Sequence, residues 1–274
     1  MMVEAIVYFF VPALVGVLIG IASGLLGIGG GTVMVPIFRL AFGMSATMST
    51  ATSLFAIIPT SISGAISHVK GKTCIPALGI AAGLGGACLS PVGVWLAQLS
   101  PDWLVMLAAA LIIGYSAINM FKKAFKLRPA GQLAAEADAA APTADDSSLS
   151  RKQLLQGAAI GLVAGLASGY VGVGGGFIMV PLMLSIIGIP MRKASGTSLI
   201  AVMILAIPGV IEQGIIGNIN YLAGIAIVIG TIPGAVIGAR LVTKVPERTL
   251  RLLFGCFLIV AAVMLVLNEV GIFG

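Results

Sequence analysis

Charge is what this sequence has least of. Of its 274 residues, 9% are Asp, Glu, Lys or Arg and 59% are hydrophobic, against about 25% charged in an ordinary soluble domain. No charged residue occurs from Ala5 to Phe38, Leu40 to Val69, Thr73 to Pro101, Trp103 to Phe121, Gln153 to Met191, Ala194 to Ile211, Gln213 to Ala239, or Leu252 to Asn268. Several of these runs exceed the roughly 20 residues a helix needs to span a bilayer. A soluble fold is excluded, and the period-two alternation of a membrane β-barrel is missing. Histidine occurs once and cysteine three times, as Cys74, Cys88 and Cys256 without metal-ligand spacing; they read as small core hydrophobes. No nucleophile–base pair or metal cluster is visible, so no enzyme and no cofactor is expected. The net charge of +6 sits at segment ends, which argues against a nucleic-acid footprint and for membrane topology. The first twenty residues lack the basic start of a cleaved signal peptide and carry Glu4; they read as a retained first membrane segment.

Glycine is what the sequence has in excess, 37 in all, and its placement is periodic. GLLGIGGGTVMVP at Gly24–Pro36 recurs as GYVGVGGGFIMVP at Gly169–Pro181. Ser23 and Ser168 differ by 145 positions (168 − 23), and the same offset joins Gly27 to Gly172, Thr52 to Thr197, Gly93 to Gly238 and Pro101 to Pro246. The chain is a duplicated unit: a first transmembrane repeat at 1–121, a linker at 122–152 rich in Ala, Pro, Asp and Ser, and a second repeat at 153–274. Each half holds five apolar segments, at 5–26, 30–42, 46–67, 74–99 and 103–121, then at 153–171, 175–190, 194–215, 219–240 and 248–268.

The basic clusters set the orientation. The linker ends are basic and belong on the cytoplasmic side. Counting crossings outward from there puts Lys70, Lys72, Arg192, Lys193 and the cluster at 240–251 inside as well. A basic loop in one half has a nearly basic-free counterpart in the other: Arg192 and Lys193 correspond to Thr47 and Met48. Parallel halves would not need that exchange; halves of inverted topology do. The expected fold is an all-α polytopic membrane protein of two inverted repeats. Each repeat is a broken helix pair followed by three transmembrane helices, with both termini extracytoplasmic.

The glycine cluster separates the first two segments of each half, and the second segment is short. Thr32–Phe42 is eleven residues, about 16 Å of helix, roughly half the hydrocarbon thickness. A helix restarting there leaves its first four N–H groups without intrahelical partners, which hydrocarbon does not tolerate unless a ligand or water meets them. Glycine permits the turn, and the helix dipole adds about half a positive charge. That combination suits an anion. The candidate binding set is therefore Gly27, Gly29, Gly30, Gly31 and Thr32 with Gly172, Gly174, Gly175 and Gly176, lined by the hydroxyls of Ser23, Ser168, Thr52, Ser53, Thr197 and Ser198. Hydroxyls donate to an anion without a buried counter-charge. The bland reading makes the glycines packing surfaces and lets the hydroxyls bond their own helix carbonyls. The nucleotide-loop alternative fails because the spacing is not G-x-G-x-x-G and no Walker lysine follows.

Single residues take ordinary readings. His68 and Glu212 read as interfacial, with proton coupling or gating as the sharper alternatives. Arg39 reads as snorkelling to the outer interface, and Trp95, Trp103 and Tyr221 as interfacial anchors.

The doubled glycine motif, the MVP at Met34–Pro36 and Met179–Pro181, the TSL at Thr52–Leu54 and Thr197–Leu199, and the polar linker resemble the sulfite exporter TauE/SafE family of bacterial membrane permeases. The resemblance covers the chain apart from its linker. It implies a mover of small anions such as sulfite, thiosulfate or sulfoacetate. Together with the dipole argument it predicts a secondary transporter of the bacterial inner membrane with a small anionic substrate and a surrounding lipid bilayer; a coupling ion, proton or sodium, is left open, since a protonated substrate could take its place. The rival readings are a passive anion channel and a non-transporting membrane subunit or sensor.

Overall fold

The structure is a computed structural model that describes residues 2–126 and 150–269, with side chains over 12–125 and 150–266. Most of the linker, 127–149, lies outside the described residues. In chain order the helices are α1 (Met2–Leu26), α2 (Gly31–Phe42), α3 (Ala46–Lys70), α4 (Pro76–Leu99) and α5 (Asp102–Lys126). They continue as α6 (Arg151–Val171), α7 (Gly176–Leu182, extended by a π-turn at Met183–Ile187), α8 (Met191–Ile216), α9 (Tyr221–Leu241) and α10 (Glu247–Glu269). Among the described residues there is no strand, and seven helices are long and apolar enough to cross a membrane. The protein is an all-helical polytopic membrane protein.

The helix starts follow local chemistry. Ser45 caps α3 by accepting from the Met48 amide, Ser150 forms a capping box with Gln153, and Asn220 caps α9 by accepting from the Ala223 amide. Two carboxylates do this work at long range. Asp102 Oδ2 accepts from the Ala46 amide at 3.2 Å, and Glu247 Oε1 accepts from the Met191 amide at 3.2 Å. Each carboxylate thus ties the first turn of α5 or α10 to the N-terminus of α3 or α8, where negative charge is favoured. α2 and α7 are different: their N-caps are Gly30 and Gly175, both left-handed, with no side-chain cap.

The helices pack by exchange between the halves. α1 lies along α9 and α4 along α6; α3 packs on α9 and α4 on α8; α3 meets α8, and α5 meets α10. Small residues let the exchanged pairs close backbone to backbone. A β-carbon on Gly161 would sit 1.9 Å from the Ala82 carbonyl oxygen, and one on Gly230 would sit 1.8 Å from that of Ala13. In a bilayer, where lipid is as apolar as leucine, such close approach is the main source of helix association.

The outer face is apolar, as lipid requires. Trp95, Trp103 and Tyr221 are exposed. Cys88 and Cys256 are exposed too, which corrects the expectation that they are core residues: each stands on the outward stripe of its helix. A groove of about 650 Å³ between α3, α4 and α8 is lined by Ile58, Ile62, Ile66, Ile80, Ile204 and their neighbours, with Lys70 its one charged residue.

Candidate functional site

Both glycine clusters interrupt their helices. α1 stops at Leu26 and α2 starts at Gly31; α6 stops at Val171 and α7 starts at Gly176. Between them Gly27, Gly29 and Gly30 have φ of 76°, 80° and 86°, and Gly172, Gly174 and Gly175 have φ of 72°, 88° and 70°. Six left-handed residues in two stretches of sequence are affordable only as glycine, because a Cβ meets the carbonyl oxygen in that conformation.

The two interruptions abut. A β-carbon on Gly31 would lie 2.5 Å from the Val173 carbonyl oxygen, and one on Gly176 would lie 2.4 Å from that of Gly27. Around them stand α3 and α8. Ser198 Oγ donates to the Gly27 carbonyl at 2.7 Å, and Thr50 packs onto Gly172.

The restarted helices leave amides unmatched. The first α2 amides to find acceptors are those of Val33 and Met34, both on the Gly30 carbonyl. Among the described residues, the amides of Gly29, Gly30, Gly31 and Thr32 meet no backbone or side-chain acceptor. In α7 the Gly176 amide turns back to the Gly174 carbonyl at 2.8 Å, while those of Gly174, Gly175 and Phe177 meet none. At equivalent positions the Gly31 amide is thus free and the Gly176 amide is not.

Every residue of the sequence-derived set is buried, and its hydroxyls divide into two groups. Thr52 Oγ1 accepts from the Asn220 amide, Thr197 Oγ1 accepts from the Ile75 amide, and Ser198 Oγ is engaged with Gly27. These three hold the fold. Ser23, Thr32, Ser53 and Ser168 have hydroxyls with no partner. Ser23 and Ser168 flank the breaks directly: a β-carbon on Gly30 would sit 3.6 Å from Ser23 Cβ, and one on Gly175 would sit 3.4 Å from Ser168 Cβ.

Ser49, outside that set, is buried and unpartnered too, and two further unpartnered buried hydroxyls, Ser61 and Ser90, escaped the sequence reading. Ser61 Oγ lies beside Gly29. Their counterparts at the 145-residue offset are Ala206 and Ala235, so a search for repeated hydroxyls passes over them. Burial of the polar face of α3 could have found Ser61, which stands two helical turns beyond Ser53.

His68 corrects the sequence reading. It is wholly buried, its Nε2–H donates to the Gly24 carbonyl at 2.8 Å, and its Nδ1 pairs with Thr73 Oγ1 at 2.7 Å. Its ring also lies against Gly196 of α8. The counterparts Gln213 and Asn218 make the same pair, Asn218 Nδ2 donating to Gln213 Oε1 at 2.8 Å. A residue near the end of the charge-free run Leu40–Val69 and two positions from Lys70 reads as interfacial; the tertiary contacts with α1 and α8 bury it instead. Glu212, next to Gln213, is half-buried, with Oε2 unpartnered. Among the described residues no group of three or more His, Cys, Asp or Glu could hold a metal ion.

The chain matches the family model "Sulfite exporter TauE/SafE" over residues 12–265. It is 27% identical to a probable membrane transporter protein YunE of Bacillus subtilis over 277 aligned residues, covering 97% of this chain and 99% of that one. It is 28% identical to a probable membrane transporter protein YdhB of the same organism, covering 87% and 92%. A probable membrane transporter protein of Haemophilus influenzae is 29% identical, covering 93% and 97%. No solved structure matches it.

Proposed function

The chain belongs to the sulfite exporter TauE/SafE family, a family of membrane transporters, and from that premise we propose that it carries small sulfur oxyanions or organosulfonates, such as sulfite, thiosulfate or sulfoacetate. The carrier is a secondary transporter of the bacterial inner membrane. It works by alternating access between two inverted repeats, with the linker cytoplasmic and both termini outside.

The observation that carries this reading is the abutment of two interrupted helices with unmatched amides. Unpaired N–H groups inside a membrane protein cost several kcal/mol each unless something accepts from them. The free amides of Gly29–Thr32 and of Gly174, Gly175 and Phe177, with the free hydroxyls of Ser23, Ser53, Thr32 and Ser168, form a donor-rich site without one cationic side chain. An oxyanion offers several acceptors and is held by dipoles alone, strongly enough to enter and weakly enough to leave. The exchanged packing of α1 on α9 and α4 on α6 supports two structurally equivalent halves, and the swap of basic loops supports their opposite orientation.

The test is a flux assay in proteoliposomes with sulfite, thiosulfate, sulfoacetate and simple carboxylates. The reading expects saturable uptake of a sulfur oxyanion or sulfonate, accelerated by the same anion on the far side. Uptake without that acceleration identifies a pore. No uptake of any anion overturns the reading.

A further inference from the structure

Ile57 of α3 and Val202 of α8 occupy corresponding positions in the two halves (202 − 57 = 145), and both are wholly buried. They meet at the glycine breaks. A β-carbon on Gly29 would lie 2.9 Å from Val202 Cγ1 and 3.2 Å from Ile57 Cγ2; one on Gly174 would lie 2.8 Å from Ile57 Cδ1 and 3.5 Å from Val202 Cγ1. Ile57 Cδ1 also presses on Gly31, 2.5 Å from where its β-carbon would be. Two equivalent side chains thus each touch both equivalent glycines, and their methyl groups fill the side-chain space at Gly29 and Gly174. We infer that Ile57 and Val202 form an apolar bar that closes the passage between the two breaks, and that their bulk sets the largest anion the protein admits. This inference rests on the transport reading above.

The chemistry of the pair fits a bar better than a binding surface. Methyl groups offer an anion nothing in return for its hydration shell, so a charged solute does not slip past them. Both residues are β-branched, and a β-branched side chain in a helix is held to essentially one χ1 rotamer. With χ1 fixed, Ile57 Cγ2 and Val202 Cγ1 stay against Gly29, so turning Ile57 Cδ1 about χ2 does not by itself open the bar. It opens when α3 and α8, which pack on each other, shift relative to one another, and that couples passage to movement between the halves. The glycines complete the device: a Cβ at Gly29 or Gly174 would collide with the bar and hold it apart.

The experiment compares flux of sulfoacetate and of the bulkier benzenesulfonate in proteoliposomes of the full chain. The wild type carries sulfoacetate at least tenfold faster than benzenesulfonate. The double variant Ile57→Ala/Val202→Ala brings the ratio to near one, and Val202→Phe lowers both fluxes at least tenfold. The volume-conserving exchange Ile57→Val/Val202→Ile keeps the wild-type ratio. Each variant is first shown to elute as a single folded species in detergent; if the double variant does not, Val202→Ala alone replaces it and is expected to raise relative benzenesulfonate flux several-fold. Wild-type sulfoacetate flux with an unchanged ratio in the alanine variant overturns the bar and leaves transport standing. Absence of both sulfoacetate and benzenesulfonate flux in the wild type overturns the bar, and transport falls with it only when sulfite, thiosulfate and the carboxylates fail as well.

Discussion

Thr52 and Thr197 make the same bond from opposite halves: Thr52 Oγ1 accepts from the Asn220 amide at 3.0 Å, and Thr197 Oγ1 accepts from the Ile75 amide at 2.9 Å. Each hydroxyl sits inside α3 or α8 and receives the N-cap residue of the fourth helix of the other half. The bond therefore holds the fold, although both threonines belong to the repeated TSL of the sequence-derived binding set. Replacing either by valine leaves a buried amide without an acceptor, an expected loss of about 1–3 kcal/mol. Replacement by serine keeps the acceptor and most of the stability. Thermal unfolding in detergent separates the two, and an equal loss for serine and valine would show that the methyl, not the oxygen, matters.

The exchanged helix pairs give a second expectation. Gly161 has no room for a side chain, since a β-carbon would come within 1.9 Å of the Ala82 carbonyl oxygen, whereas Gly114 in α5 has nothing within 4 Å. Gly161→Ala forces α4 and α6 apart and is expected to leave little monodisperse protein in detergent. Gly114→Ala removes backbone freedom from the unfolded chain at no steric cost and is expected to stabilise by about 0.5–1 kcal/mol. Equal behaviour of the two variants would contradict the backbone-to-backbone packing.

His68 supplies a third. Its counterpart in the other half is Gln213, and the two make matching bonds to Thr73 and Asn218. A side chain that donates from its tip to the Gly24 carbonyl is what the position requires. His68→Gln is therefore expected to retain stability and flux, and His68→Leu to lose about 1–3 kcal/mol by stranding that carbonyl. Should His68→Gln fold normally yet abolish flux, the imidazole itself would be needed, and proton coupling through His68 would become the better account.

These residues also show where sequence reasoning reaches its limit. The helix boundaries were legible because charge and glycine mark them: α2 at Gly31–Phe42 and α8 at Met191–Ile216 fall within three residues of the apolar segments. The interruptions were legible because three consecutive glycines inside a charge-free run have no helical explanation, and because they occur twice. The π-turn at Met183–Ile187 was not, since MLSII is as apolar and as helical in pattern as the segment before it. The roles of the hydroxyls were not legible either. Thr52, Ser53, Thr197 and Ser198 are adjacent and repeated, yet only Ser53 is free; the partners of the others come from helices distant in sequence. Glu212 and His68 lie near segment ends in sequence, and only tertiary packing decides which of two such residues is enclosed.

Ser23 and Ser168 carry the last and most direct test of the site. Both are wholly buried, at equivalent places before the breaks, with hydroxyls that meet no partner. A buried hydroxyl that bonds nothing in the protein contributes nothing to the fold, so Ser→Ala at either position is expected to change stability by less than about 0.5 kcal/mol or to raise it slightly. Glycine substitutions are a poorer probe, because φ of 86° at Gly30 and 70° at Gly175 strains any side chain and confounds folding with binding. If the hydroxyls meet the anion, Ser23→Ala and Ser168→Ala each lower flux five- to tenfold, mainly through a higher half-saturation concentration, and the double variant loses more than either. A pair of variants with unchanged stability and unchanged flux would move the anion away from the serines. A loss of stability would mean instead that each hydroxyl bonds within the protein during the cycle.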